Sequence, residues 1–280
     1  MTRDPISVLM PARNAQDTIA VAVSSTLQGL GPHDELLVLD DGSTDDTGRM
    51  LGRQRDARLR VLTSEGSVGV ARGLERLLAE ARHDVVARMD ADDISLRGRF
   101  RLQSRALRGH DLAFGNILPF GEVRSRPAIS TLIGLPSDAV RLWLLVENPV
   151  AHPAMIARRD ALIRAGGYRE SPAEDWDLWL RAAAAGMRIR RTITPVIRYR
   201  VHAKQLSGSA AYRTSLESDP TLASAWRALL AADGYADADR ADFRSRLRDG
   251  DPVREWLLGR ASSLPRAHRA LLRRRLQRTV

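Results

Sequence analysis

The feature that most constrains this chain is a change of period that repeats from residue 6 to residue 90. Short runs rich in Val, Leu and Ile, ISVLMPA (6–12), ELLVLDD (35–41), LRVLTS (59–64) and DVVARMD (84–90), read as buried strands. Between them, 15–29, 44–54 and 69–82 carry helical spacing. Strands alternating with helices predict right-handed βαβ units and an α/β fold: a Rossmann-like, mostly parallel sheet flanked by helices. In such sheets ligands bind beyond the carboxyl ends of the strands. PARN (11–14), DDGSTDDT (40–47), SEGSVGVARG (64–73) and DADD (90–93) fall there.

The alternation stops after the aspartates. Residues 110–135 read as loops and short strands, followed by a helix at 137–147, a strand at 151–159, a turn at Gly166 and Gly167, a helix at 173–186 and a strand at 194–202. From SDPTLASAWRALL onward the pattern is helical, and the Ser and Gly residues of QLSGSAAY mark a boundary near 205–215. The expected organisation is one domain over 1–208 and a helical extension over 209–280.

Composition narrows the classes of function. No apolar run approaches the roughly 20 residues that span a bilayer. The N-terminus lacks the basic and apolar pattern of a secretory signal, so a cytoplasmic protein is expected. The chain has no cysteine, which excludes thiol chemistry. Its net charge of +10 is carried almost wholly by arginine, Lys204 being the one lysine. The densest basic cluster, RALLRRRLQRTV, reads as a solvated face or as a peripheral contact with the anionic inner face of a membrane. With 5% aromatic residues there is little for base stacking, and nucleic acid is not an expected partner.

The acidic motifs carry the chemistry. In an extended segment Asp90 and Asp92 face the same way, and two such carboxylates repel unless a cation lies between them. Oxygen-only donors favour Mg²⁺ or Mn²⁺, which also take substrate phosphates. Phosphatases of the haloacid dehalogenase type share Asp-x-Asp, but on their first strand; here it follows the fourth. Asp40 and Asp41 precede the helix cap expected at Ser43, so capping leaves them free to accept hydrogen bonds from a ribose or a base. The glycines of 64–73 match neither a dinucleotide fingerprint nor a P-loop. Arg72 lies in the first turn of its helix, where the dipole disfavours a cation, and suits an anion contact.

A second acidic cluster, SPAEDWDLWLRAAAAG, opens a later helix. Ser171, Pro172 and Glu174 have the spacing of a capping box, and Asp177 precedes Arg181 by four, as in a helix-surface pair. Asp175 is left on the side of Leu178 and Trp179, where partial burial suits a general base. His152 and His202 stand near predicted strands; either could line the cleft, and His202 could add a metal or phosphate contact.

Taken together, ISVLMPARN, LLVLDDGSTDDT, SVGVARGLERLL, VARMDADD, HPAMIARRDALIRAGGYRE, AEDWDLWLRAAAAG and YRVHAKQLS resemble, in that order, family 2 glycosyltransferases, the inverting GT-A enzymes. The similarity covers residues 5–208. The resemblance implies a GT-A fold and transfer of a sugar, with inversion, from a nucleotide diphosphate sugar, UDP by default, to a hydroxyl of a carbohydrate, lipid-linked or other acceptor. It implies that Pro11, Arg13, Asp41, Asp40 and Arg72 bind the nucleotide, that Asp90 and Asp92 form the Asp-x-Asp motif that holds ribose and the metal–diphosphate, with Asp93 a second metal candidate, and that Asp175 is the base. Arg13 stands where the family usually has an aromatic residue, and its guanidinium plane could stack in its place. The alternatives are a non-catalytic nucleotide-sugar or polyanion-binding module and a sugar nucleotidylyltransferase, whose Gly-rich N-terminal loop is missing from SVLMPARN.

Overall fold

The computed structural model describes residues 3–121, 133–202, 210–240, 247 and 250–277. The four expected strands form as β1 (Ile6–Ala12), β2 (Glu35–Asp40), β3 (Leu59–Thr63) and β4 (Val85–Arg88), separated by α1 (Ile19–Leu27), α2 (Thr47–Gly52) and α3 (Val70–Glu80). All four are parallel, in the order β3-β2-β1-β4. Beyond β4 come β5 (Ile94–Ser95), α4 (Arg99–Leu107), β6 (Leu112–Gly121), α5 (Ser137–Leu144), β7 (Met155–Arg158), α6 (Arg159–Arg164), α7 (Glu174–Ala184) and β8 (Ile189–Val201). These strands extend the same sheet as β4-β7-β6-β8-β5. β7 runs antiparallel to both β4 and β6, and β5 antiparallel to β8, so the sheet is parallel in its first half and mixed in its second.

The region expected to hold loops and short strands contains the ten-residue β6. Gly115, Asn116 and Pro119 hide it from a period-2 reading, and its register against β8 shifts on both sides of Asn116. Gly115 is required there, because a Cβ would lie 2.6 Å from Val196 Cγ1. Pairing with β7 and β8 makes this stretch a strand.

Period-2 alternation sorts the strand side chains into two cores. Ile6, Val8 and Met10 of β1 pack with α1 and with Phe100 of α4, whereas Leu9 joins Leu37 and Leu39 against α3. The second core is the larger. It takes in Trp143 of α5 and Trp179 of α7, and continues through α9 (Pro220–Ala232), α10 (Pro252–Arg260) and α11 (Arg266–Leu276). The eighth helix, α8, spans Ala210–Ser218. Trp226 of α9 is fully buried and its indole N–H donates to the Leu145 carbonyl at 2.9 Å. The expected boundary at 208/209 lies outside the described residues, but the helices that follow it complete the core behind α7.

Candidate active site

Parallel register brings three of the expected segments, those after β1, β2 and β4, to one edge. Ala12 pairs with Asp40 and Leu9 with Arg88, so the ends of β1, β2 and β4 stand side by side. Pro11 is half-buried there and Arg13 is exposed. Asn14 has a φ of 47°, a left-handed conformation that Asn tolerates, and its Oδ1 accepts from Thr44 N at 2.9 Å. Ser43 does not cap a helix. Its Oγ accepts from Asn14 N at 3.0 Å, α2 begins at Thr47, and Asp45 accepts from Thr47 N at 2.9 Å, so the hydroxyl braces the 11–14 turn instead.

Asp40 and Asp41 are both buried. Asp40 accepts from Ser43 N at 3.1 Å. Asp41 receives Val68 N at 2.8 Å on one oxygen, and Ser67 Oγ at 2.8 Å and Gly69 N at 3.1 Å on the other. It therefore shapes the 66–69 loop at the edge of the cleft. Gly42, at φ 65°, allows the close approach, since a Cβ would lie 2.6 Å from the Gly66 carbonyl carbon. Arg72 is exposed, with its Nε 2.8 Å from Glu170 Oε1.

The aspartates after β4 cluster by turning, not by pleating. The strand ends at Arg88, residues 91–92 form a turn, and Asp90, Asp92 and Asp93 each bring one oxygen within 4.8 Å of the others. Asp90 pairs with buried Arg88. Asp93 is 1% exposed; its Oδ1 accepts from Arg200 N at 2.8 Å, while its Oδ2 is buried with no hydrogen-bond partner among the described residues. Burial, then the charges of Asp90 and Asp92, push Asp93 up to about 8. Burial and Asp90 also raise Asp92, opposed by His202 and Arg200. His202 Nε2 lies 3.4 Å from Asp92 Oδ2. An orphaned buried oxygen among three carboxylates and an imidazole fits a hard divalent cation better than it fits a solvated turn.

The partners of this cluster come from β8. Ile94 and Ser95 pair with Arg198 and Ile197, which brings Arg200 and His202 over the aspartates. Behind them, fully buried Arg99 donates to Pro153 O at 2.8 Å and to Gln103 at 2.8 Å; burial lowers its pKa to about 9, against the opposing pull of Asp93.

Asp175, in the first turn of α7, is half-buried. Its Oδ2 accepts from Asn148 Nδ2 at 2.9 Å and its Oδ1 from Trp176 N at 2.7 Å. Burial raises its pKa and Glu174 raises it further, while His152 opposes both. The capping box expected at Ser171 and Glu174 does not form. Ala173 takes the N-cap position, Ser171 Oγ accepts from Ala173 N at 3.1 Å and donates to Asp219, and Glu174 faces His152 at 3.6 Å. The expected surface pair is likewise internal: Asp177 is fully buried, Arg181 Nε lies 3.0 Å from it, and Arg169 is its second partner. The turn after α6 covers that side of α7: Arg181 also donates to the Ala165 and Gly167 carbonyls.

Arg88, Asn148, Tyr168 and Arg200 are site residues that the motifs do not reveal. Arg88 had a signal, since it stands two residues before Asp90 on an alternating strand; the others are joined to the site only by tertiary contacts. Arg88 also lies within electrostatic reach of Glu174, the neighbour of Asp175.

Comparison with known proteins gives the family and the fold. Residues 7–166 match the family model described as glycosyl transferase family 2. The chain belongs to that family. EpsE of Bacillus subtilis (strain 168) is 30% identical over 194 residues, 65% of this chain and 68% of that protein. The Escherichia coli UDP-Glc:alpha-D-GlcNAc-diphosphoundecaprenol beta-1,3-glucosyltransferase WfgD is 32% identical over 109 residues, 39% of this chain and 43% of that enzyme. The crystal structure of Staphylococcus aureus TarS 1-349 in complex with UDP-GlcNAc superposes with a TM-score of 0.63, covering 98% of this chain and 88% of that one. At 17% identity that likeness concerns the fold, a curled mixed sheet flanked by helices as in GT-A glycosyltransferases.

Proposed function

We propose that this family 2 member is an inverting enzyme that moves a sugar from a UDP-sugar to a hydroxyl of a lipid-linked or other carbohydrate acceptor, in the synthesis of a cell-envelope glycan. The observation that carries the reading is the division of carboxylates into two separate groups, both within electrostatic reach of Arg88. One is an aspartate trio with an unpartnered buried oxygen; the other is a single half-buried aspartate with a raised pKa. Inverting transfer needs such a division, because the acceptor is deprotonated on one face of the sugar while diphosphate leaves from the other.

In this reading Pro11, Arg13, Asp40, Asp41 and Asp90 line the nucleotide pocket, and Arg72 offers its guanidinium to the phosphates. Asp92 and Asp93, with His202, would hold Mg²⁺ or Mn²⁺. When bound, such an ion supplies positive charge to the leaving diphosphate. Asn148 orients Asp175, and Asp175 takes the proton of the attacking hydroxyl.

The name of WfgD, a relative acting on a diphosphoundecaprenol-linked sugar, supports a lipid-linked acceptor. Among the described residues no helix is long and apolar enough to cross a membrane. Exposed Arg266, Arg273 and Arg274 of α11 support peripheral contact with an anionic surface at the cytoplasmic face.

A screen of UDP-, dTDP- and GDP-sugars by thermal shift, with and without Mn²⁺ or Mg²⁺, tests the reading. A metal-dependent, donor-selective rise in Tm followed by release of the nucleoside diphosphate is the expected result. A salt-steep affinity for any polyanion, with no donor selectivity, would replace it by the non-catalytic binder.

A further inference from the structure

We propose that His152 is a positioning residue for transfer: held from behind by the Tyr168 hydroxyl, its imidazole fixes Glu174 and, through it, the first turn of α7 that presents the Asp175 carboxylate. This rests on the reading of Asp175 as the base.

The geometry is closed on every side. His152 is 8% exposed, in the turn that leads into β7. Its Nε2 lies 2.9 Å from the Tyr168 hydroxyl and its Nδ1 lies 3.6 Å from Glu174 Oε1. The ring packs edge-on against Trp179, centroids 5.6 Å apart, and tilted against Tyr168 at 5.4 Å. Burial raises the Tyr168 phenol well above its ordinary range, so the phenol stays neutral and can donate. A phenol that donates to Nε2 leaves the proton on Nδ1, the nitrogen that faces Glu174.

The consequence falls on Asp175. Asp175 is bounded by Glu174 of its own helix and by Asn148 from the segment after α5, with His152, 3.6 Å from Glu174, in the turn before β7. Tyr168 stands behind His152, and Arg88 of β4 acts on Tyr168 and Glu174. Burial and Glu174 both favour the protonated carboxyl, which cannot accept a proton from a substrate hydroxyl. His152, beside Glu174, opposes them. Without His152, burial and Glu174 would hold more of the base in its protonated form.

The test compares His152→Gln, Tyr168→Phe and Asp175→Asn in the full chain, with donor turnover followed from pH 5 to pH 9. His152→Gln should lower kcat roughly tenfold, leave the donor KM within about twofold, and move the acidic limb of the kcat profile up by about one unit. Tyr168→Phe should act in the same direction with a smaller shift, and His152→Gln should have no further effect on the residual rate of Asp175→Asn. A His152→Gln enzyme with a lower Tm but an unmoved pH profile overturns the proposal while the base reading stands. An Asp175→Asn enzyme that keeps transfer overturns both.

Discussion

Residues 90–93 and 174–177 are each four-residue stretches holding three acids, yet the fold treats them oppositely. At 90–93 the carboxylates crowd a turn, Arg88 answers Asp90, and one oxygen of Asp93 is buried with no donor among the described residues. At 174–177 the charges are distributed: Asp177 has two arginines, Glu174 faces His152, and Asp175 is held by Asn148 and a backbone N–H. The lesson is that the partners of an acid, more than its neighbours in sequence, decide its chemistry. Unanswered negative charge suits a cation, a carboxylate answered by two arginines is structural, and one held by neutral donors while burial raises its pKa suits a base.

The sharpest way to break this contrast is to remove the acids one at a time, beginning with two neighbours of the second cluster. Asp175→Asn should lower turnover by about 10²- to 10⁴-fold, the usual worth of a general base, with donor affinity by calorimetry unchanged. Equal loss of binding and turnover would sink the division of roles. Asp177→Ala should act on stability alone, lowering the unfolding free energy by about 3–5 kcal/mol, because two arginines lose their buried partner; denaturant melts check this, and a cost below about 1 kcal/mol would return Asp177 to the surface.

Asp93→Asn should raise Tm in chelator-containing buffer by a few degrees, since about 1 kcal/mol of relieved repulsion shifts Tm by roughly 2–4 °C in a chain of this size. The same variant should lose its thermal response to Mn²⁺. A wild-type response to the ion would remove Asp93 from the metal set. In the parent enzyme, transfer should decline as pH falls through a value above the ordinary aspartate range, because the raised pKa of Asp175 means the base takes up its proton early. A rate that is flat down to pH 4 would contradict the raised pKa. Arg72→Ala should have the smallest effect on folding, under about 0.5 kcal/mol for an exposed pair with Glu170, while weakening UDP binding. Unchanged UDP affinity would leave Arg72 a surface residue.

The N-terminal half is legible because its information is local. Buried parallel strands are continuous apolar runs, helices between them keep a 3.6 period, and the ligand edge follows from the direction of the strands. Strand direction alone therefore places Pro11, Asp40, Asp41 and Asp90 at one edge. β6 is not legible, since Gly115, Asn116 and Pro119 carry no strand signal and only β7 and β8 make them one. The reading of Ser171 as a cap fails for a related reason: a hydroxyl with several partners in reach takes the one the fold brings nearest, here Asp219 at the start of α9.

Residue types and spacing are enough to establish that this chain builds an α/β sheet, that acids gather at its carboxyl edge, and that Asp175 stands apart from them. Beyond the local pairs Arg88–Asp90 and Asp177–Arg181, which acids are answered is settled by long-range pairing: β8 lays Arg200 and His202 over the aspartates, and the turn before β7 carries His152 to Glu174. The reason is physical. Strand and helix formation depends on neighbours a few residues apart, whereas desolvation and charge compensation depend on whatever the packed chain brings within a few ångströms.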